Sequence, residues 1–361
     1  MKEIITTWNL LYLLAFGGGL LATLLTTPLC KRLAVKLDFM DRPAANHKGH
    51  AKATPLLGGL AMFSAWLICI GIGLAAADRI GILQPHLAGL KSVFLPLLSI
   101  VIGALLAVAL GLIDDKYALK AWTKFLGQFI VAAIAVTFGK IQIGVFLTSP
   151  VLVWGLSVFW IMLMMNSINF FDNMDGLAVG TIAIAMGLFA VVAGLQQQYF
   201  IAAFAALCCG VCCGVWVYNT TPASIFMGDS GSHFLGYLAA VTSAGVTFFC
   251  QESSTTRLPV LMPLFILALP LFDTAMVVII RTLNRKPFWI GDHNHISHRF
   301  VKMGMSRKRA VMLVHILALA IGIGILPILW GSFATAGIIV AQTLLILLAV
   351  TMLQFFAEKK D

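Results

Sequence analysis

The sequence predicts an all-α, polytopic integral membrane protein, and three observations carry that prediction. Of the 361 residues, 60% are hydrophobic and only 11% are charged, and the mean hydropathy is +0.99; soluble globular domains do not reach such values. Apolar runs recur along the whole chain at the length that crosses a bilayer, about 20 residues. The basic residues that interrupt these runs gather in alternate interruptions, as expected of loops sorted to two sides of a membrane.

In order, spans are expected near 8–30, 54–76, 93–113, 125–139, 150–165, 177–194, 198–218, 231–250, 258–280, 310–330 and 333–355. That makes about 11 transmembrane helices, the fourth and fifth being the shortest. The first run is too long for the apolar core of a cleavable signal and lacks a small-residue cleavage site. With no soluble segment and no repeat, 1–361 reads as a single transmembrane domain. If loops are assigned to alternate sides, one side holds Lys2, Arg79, Lys91, Lys140 and Arg257. The other side holds the remaining nineteen of the 24 basic residues, in 31–53, 114–124, 281–309 and 359–360. Basic loops stay cytoplasmic, which places the N-terminus outside and the C-terminus in the cytoplasm. The net charge of +10 is therefore one-sided. It reads as topology first and as attraction for a polyanionic substrate second; nothing points to nucleic acid.

The seven cysteines include "CCGVCC" at 208–213. Zinc and iron–sulfur sites draw ligands from separate elements with polar partners behind them. A single apolar helix supplies neither, so these cysteines read as small packing residues.

Chemistry-bearing residues concentrate in the interruptions on the cytoplasmic side. They are "DRPAANHKGHAKATPLLGGL" with Lys48 and His50, "GLIDDKYALKAWTKF" with Asp114, Asp115 and Lys124, and "NSINFFDNMDGLAVG" with Asn169, Asp172 and Asp175. "NTTPASIFMGDSGSHFLG" follows with Asn219 and Asp229, then "NRKPFWIGDHNHISHRF" with His293, His295, His298 and Arg299. The active site is expected from 31–55, 114–124, 166–176, 219–232 and 281–309. An unpaired acid beside hydrocarbon costs several kcal/mol, so Asn166, Asn169, Asp172, Asn173 and Asp175 call for a cation. Carboxylate and amide oxygens from Asn169, Asp172 and Asp229 suit magnesium, which retains water and bridges phosphates. Gly228 and Gly231 are expected to let a phosphate reach the positive start of the next helix, while histidine and arginine donate to phosphate oxygens. Asp114 or Asp115 would take a proton from a phosphate nucleophile. Taken singly these motifs are weak: "GDSG" also surrounds the serine of trypsin-like proteases, and "DD" at a helix end is commonly a cap. Their combination on one side of the membrane is specific. Asp273, inside the ninth span, reads as a buried carboxylate bonded between helices.

The ordered set "DD…K", "NxxNxxDxxDGL", "N(x)9DxGS" and a histidine-rich loop resembles the polyprenyl-phosphate N-acetylhexosamine-1-phosphate transferases, across roughly residues 30–310. The resemblance implies transfer of N-acetylglucosamine 1-phosphate from UDP-N-acetylglucosamine to undecaprenyl phosphate. The products would be undecaprenyl-diphospho-N-acetylglucosamine and UMP, in a bacterial inner membrane with the site facing the cytoplasm. It implies magnesium as cofactor, with manganese as the alternative ion, and is compatible with a homodimer. By the same resemblance Asp114, Asp115, Asp172 and Asp175 are catalytic, and Asn169, Asp172 and Asp229 lie at the metal. Lys48, His50, Lys124, Asn219, His293, His295, His298 and Arg299 bind substrate. The sequence departs from the pattern at Ala118, where a third aspartate is common, at Asn173, at Ser297 within the histidine cluster, and at His47. "DDKYALKAWTKFLGQ" is nearest the teichoic-acid and common-antigen branch, which favours N-acetylglucosamine. The alternatives are another UDP-N-acetylhexosamine or UDP-N-acetylmuramoyl-pentapeptide. Of other classes, a secondary transporter would place its polar residues mid-span, and an intramembrane aspartyl protease would need a second aspartate facing Asp273.

Overall fold

A computed structural model describes residues 2–42, 53–79, 81, 84, 94–143, 146–249, 255–287 and 294–358. Lys48, His50 and His293 lie outside the described residues. The elements are α1 (Lys2–Lys36), α2 (Gly58–Ala76), α3 (Phe94–Tyr117), α4 (Ala121–Thr137), α5 (Pro150–Phe171), α6 (Leu177–Leu195) and α7 (Tyr199–Asn219). They continue with α8 (Gly228–Gly245), α9 (Met262–Ile266), α10 (Ala268–Leu283), α11 (Ile296–Lys302), α12 (Arg307–Gly324) and α13 (Phe333–Glu358). Helices therefore form 79% of the structure, and the protein is a multi-pass membrane protein. One antiparallel ribbon departs from the all-α expectation, pairing Met40 with Pro55 and Asp41 with Thr54. It draws together the two ends of the segment that holds Lys48 and His50.

Each of the eleven expected segments contains helix, but they are not equal. Among the described residues eight helices are long and apolar enough to cross a membrane, and a bent pair would make a ninth. Helix α4 is a shorter apolar helix. Helix α8 falls short for another reason: every residue from Ser230 to Ser243 is buried. Packed among α2, α3, α5, α6 and α7, it meets protein and not lipid, so it can carry serines, a histidine and a tyrosine. The expected ninth span is also corrected. Leu258–Ile266 and α10 are bent by 72°, because Pro270 brings no N–H to continue the ladder across the break.

Helix α8 is the axis that gathers the site, and its neighbours reach it through small residues. A Cβ at Gly111 of α3 would lie 2.3 Å from the backbone nitrogen of Ser230. Close approach here is what brings Asp114 and Asp115, one turn further along α3, against the start of α8. Gly111→Ala is therefore expected to separate α3 from α8 at an overpacking cost of about 1–3 kcal/mol. Thermal unfolding in detergent should show a lowered midpoint, and an unchanged midpoint would contradict this packing. Cys208 and Cys212 are buried and free, on the helix whose Gly210 and Gly214 meet the α1 backbone. Among the described residues no cysteine belongs to a metal-ligating group.

Candidate active site

The site lies at the end of the bundle where α3 and α5 finish and α4 and α8 begin. Helix α3 runs to Tyr117, so Asp114 and Asp115 sit on its last turn and not in a loop. Ala118 then takes φ 48 and turns the chain into α4, returning Lys124 toward the aspartates. Lys124 Nζ contacts Asp114 Oδ2 at 2.7 Å and Asp229 Oδ2 at 2.9 Å, and donates to Asn169 Oδ1 at 3.1 Å. Asn169, on the last turn of α5, donates Nδ2 to Asp229 Oδ1 at 2.7 Å and to Ser232 Oγ at 2.9 Å. One ammonium thus joins "DD…K", the central motif and "DxGS". Asp114 is steadied further by the backbone N–H of Leu119 at 2.8 Å.

Asp115 is placed differently from Asp114. Its Oδ1 accepts from the Asp229 backbone N–H at 2.8 Å and its Oδ2 from that of Ser230 at 3.2 Å. It caps the first turn of α8 from the neighbouring helix. This corrects the expected phosphate cradle, because those N–H groups are already occupied. Gly228, at φ 66, is glycine because a Cβ would stand 2.6 Å from Asp115 Oδ2. Gly231 packs on Met227 and Met62.

Asp172 closes α5 as its C-cap residue. It is half-buried, and among the described residues its carboxylate is given no hydrogen bond. Loss of water raises its pKa well above the ordinary carboxylate range, and the charges of Asp229, Asp115 and Asp175 add to the rise. Gly176, at φ 74, turns the chain into α6 as expected. Asp175 Oδ2 accepts from Ala223 N at 3.1 Å, so it supports the neighbouring loop.

The other expected contacts divide in the same way. Asn219 is buried; its Oδ1 accepts from Gly176 N at 3.0 Å and its Nδ2 donates to Ile225 O at 2.9 Å. It fastens two loops together. His295 Nδ1 lies 2.7 Å from Asp273 Oδ2, and Ile296 N donates to Asp273 Oδ1 at 2.6 Å. The expected bonding of Asp273 between elements is present, and its partner is the histidine loop. The rings of His295 and His298 are 6.2 Å apart. Arg299 is buried, donates Nε to Asn294 O at 3.1 Å and stacks over Phe355 of α13 at 4.8 Å. Ser297 Oγ donates to Asn173 Oδ1, so two of the positions that depart from the family pattern are partners. The irregular segment before α8 also binds the base of the first loop, through Phe226 N to Pro55 O at 2.8 Å and Gly58 N to Phe226 O at 3.0 Å.

Residues not expected at the site stand one helical turn behind it. His233 Nδ1 lies 2.6 Å from the Asp229 carbonyl and must donate there, since a carbonyl only accepts. Its Nε2 then accepts from Gln128 Nε2 at 3.0 Å, and Gln128 Oε1 accepts from Asn166 Nδ2 at 2.7 Å. This network braces α4, α5 and α8 under the carboxylates. The signal was present as polar residues four places after Lys124 and Asp229, on otherwise apolar helices.

Among the described residues no three acidic, histidine or cysteine side chains close into a metal cage. The donors fit magnesium all the same, because that ion takes one or two carboxylates and completes its shell with water and substrate phosphates. Asp172, without a hydrogen-bond partner among the described residues and close to Asp229 and Asn169, supplies that type of donor. A cavity of ≈ 580 Å³ lined by Trp8, Ile100 and Phe204 lies toward the opposite end of the bundle. Its almost entirely apolar wall offers a diphosphate no charged partner.

Residues 97–247 match the model of glycosyl transferase family 4. A probable undecaprenyl-phosphate N-acetylglucosaminyl 1-phosphate transferase of Bacillus subtilis is 34% identical over 313 residues, covering 84% of this chain and 81% of the relative. The chain belongs to this family. A decaprenyl-phosphate N-acetylglucosaminephosphotransferase of Mycolicibacterium smegmatis is 28% identical over 95% of this chain and 89% of its own length. A phospho-N-acetylmuramoyl-pentapeptide-transferase of Geobacillus kaustophilus is 29% identical over 83% of this chain and 92% of its own length. The chain is thus a polyprenyl-phosphate hexosamine-1-phosphate transferase, and a phosphotransferase by reaction class.

Proposed function

We propose that the chain transfers N-acetylglucosamine 1-phosphate from UDP-N-acetylglucosamine to undecaprenyl phosphate, at the cytoplasmic face of a bacterial inner membrane, with magnesium at Asp172, Asp229 and Asn169. The observation that carries the reading is the Lys124 ammonium bonded to Asp114, Asp229 and Asn169. It gathers three motifs distant in sequence at one end of the bundle, where a phosphate on a lipid chain and a soluble nucleotide can meet. The sugar follows the branch favoured by "DDKYALKAWTKFLGQ" and the N-acetylglucosamine in two relatives' names. The side of the membrane follows from the nineteen basic residues that share it.

In this reaction an oxygen of the lipid phosphate attacks the phosphorus that bears the sugar. A new P–O bond forms, and the P–O bond to UMP breaks with its electron pair leaving on UMP. Phosphoryl transfer of this kind is governed by positioning and charge neutralisation. Asp114 takes the proton when the lipid phosphate arrives protonated, and Lys124 offsets charge between Asp114 and Asp229. Asp115 holds the start of α8, and with it Asp229, in register with α3. His295 and His298 face the diphosphate, and Asp175 and Asn219 keep their loops in place. A magnesium ion, when bound, supplies positive charge to the diphosphate. Lys48, His50 and His293 are proposed to join them from the substrate side.

The test is a panel of UDP-sugars with undecaprenyl phosphate and purified protein. UDP-N-acetylglucosamine should give a lipid-linked product and UMP at least about tenfold faster than the others, a gap of about 1.4 kcal/mol in the barrier. Preference for UDP-N-acetylmuramoyl-pentapeptide would overturn the choice of sugar.

A further inference from the structure

We propose that Asp273 is a positioning residue of the transferase site, acting through His295. The inference rests on the reading just given and adds a group from inside the membrane helix to it. Asp273 is 1% exposed, and its two oxygens are given to two different donors of one short segment. Oδ2 faces His295 Nδ1 at 2.7 Å, and Oδ1 accepts from Ile296 N at 2.6 Å. His295 is the N-cap residue of α11 and makes no side-chain cap bond of its own. The carboxylate therefore does two things together: it ends the backbone of α11 and fixes the imidazole ring. With Nδ1 turned to Asp273, Nε2 is the ring atom left for substrate. Among the described residues that nitrogen is given no hydrogen bond.

The orientation is transmitted toward the carboxylates. Two residues along α11, Ser297 bonds to Asn173, the neighbour of Asp172. At the far side Gln354 Nε2 of α13 donates to Ile296 O at 3.2 Å, and Arg281 of α10 lies over Phe170 of α5 at 5.4 Å. The start of α11 is thus held between Asp273 and the loop that carries Asp172. Only a group with two acceptors satisfies both donors. An asparagine at 273 would offer one oxygen and one NH2. Bonding Ile296 N would turn its NH2 to His295 Nδ1; bonding Nδ1 would leave the buried Ile296 N–H without an acceptor. In the first case the ring is held only as its other tautomer, with Nε2 protonated, and in the second the start of α11 loses its cap, while the side-chain volume is unchanged.

The test is a double-mutant cycle on kcat/KM with Asp273→Asn, His295→Ala and the pair, with folding followed by thermal unfolding. Asp273→Asn should lower kcat/KM about 10- to 100-fold, as removing a group that orients a histidine does. The loss should raise KM for the sugar nucleotide and leave KM for the polyprenyl phosphate in place. In His295→Ala the added Asp273→Asn should cost nothing further, because interacting groups are non-additive. Asp273→Glu, which keeps two acceptors, should recover activity; if Asp273→Asn does not fold, Asp273→Ser takes its place in the cycle, with the same losses expected. Additive losses, or a folded Asp273→Asn with wild-type kinetics, overturn the inference. A wild type silent with every UDP-sugar overturns the transferase reading itself, and this inference falls with it.

Discussion

Asp229→Asn is expected to lower kcat by at least about 10³-fold, roughly 4 kcal/mol in the barrier, in a protein that remains folded. Both oxygens of Asp229 are in use, one toward Lys124 at 2.9 Å and one toward Asn169 Nδ2 at 2.7 Å. An amide keeps one acceptor and turns an NH2 toward a donor on the other side. It also removes a negative charge from the place proposed for magnesium, leaving Lys124 nearer to Asp114 alone. The fold should survive, because the backbone N–H of residue 229 is held by Asp115 and does not depend on the side chain. Transfer rate and thermal midpoint measured on one preparation decide the matter. A folded variant with a rate within tenfold of wild type would contradict the assignment.

Asp172→Asn should separate activity from stability in the opposite sense. Its carboxylate makes no hydrogen bond among the described residues and stands in the repulsive field of Asp229, Asp115 and Asp175. Neutralising it costs the apo protein no bond and relieves repulsion, so the unfolding midpoint without divalent cations should stay level or rise. Activity should nevertheless fall at least about 10²-fold, close to 3 kcal/mol, and residual turnover should need more magnesium. If Asp172 served only as a helix-end residue, asparagine would replace it with little loss in rate. A folded variant retaining more than about a tenth of wild-type activity, less than ~1.4 kcal/mol, would count against a role at the cation. Stability kept with activity lost is the signature of a residue retained for function.

Much of the fold was legible because bilayer length and apolar composition leave few choices. What was not legible arose where a helix is shielded from lipid or broken by proline. Helix α8 lies in the segment read as a span at 231–250, but its burial from Ser230 to Ser243, which admits its polar groups, is set by neighbouring helices that composition does not reveal. The bend at Leu267 depends on which carbonyls lose a donor, which composition does not reveal. At the site, Asp114, Asn169 and Asp229, which their chemistry singled out, meet around Lys124, which the family resemblance singled out. Asp115, Asn219 and Arg299 were legible as important but not in direction. Each is turned to a backbone or a ring, and the ring facing Arg299 belongs to Phe355, near the other end of the chain. Gln128 and His233 were missed because each looks like an isolated polar residue in an apolar helix. Their meaning appears only when α4 and α8 are side by side.

The central claim is that a sugar moves together with its phosphate onto a polyprenyl phosphate. It is tested most directly with UDP-N-acetylglucosamine radiolabelled at the sugar-bearing phosphorus, incubated with purified protein, undecaprenyl phosphate and magnesium. The account predicts that the phosphorus label appears in the lipid fraction and that the released nucleotide is unlabelled UMP. Label retained in a released UDP, with or without sugar on the lipid, would contradict it.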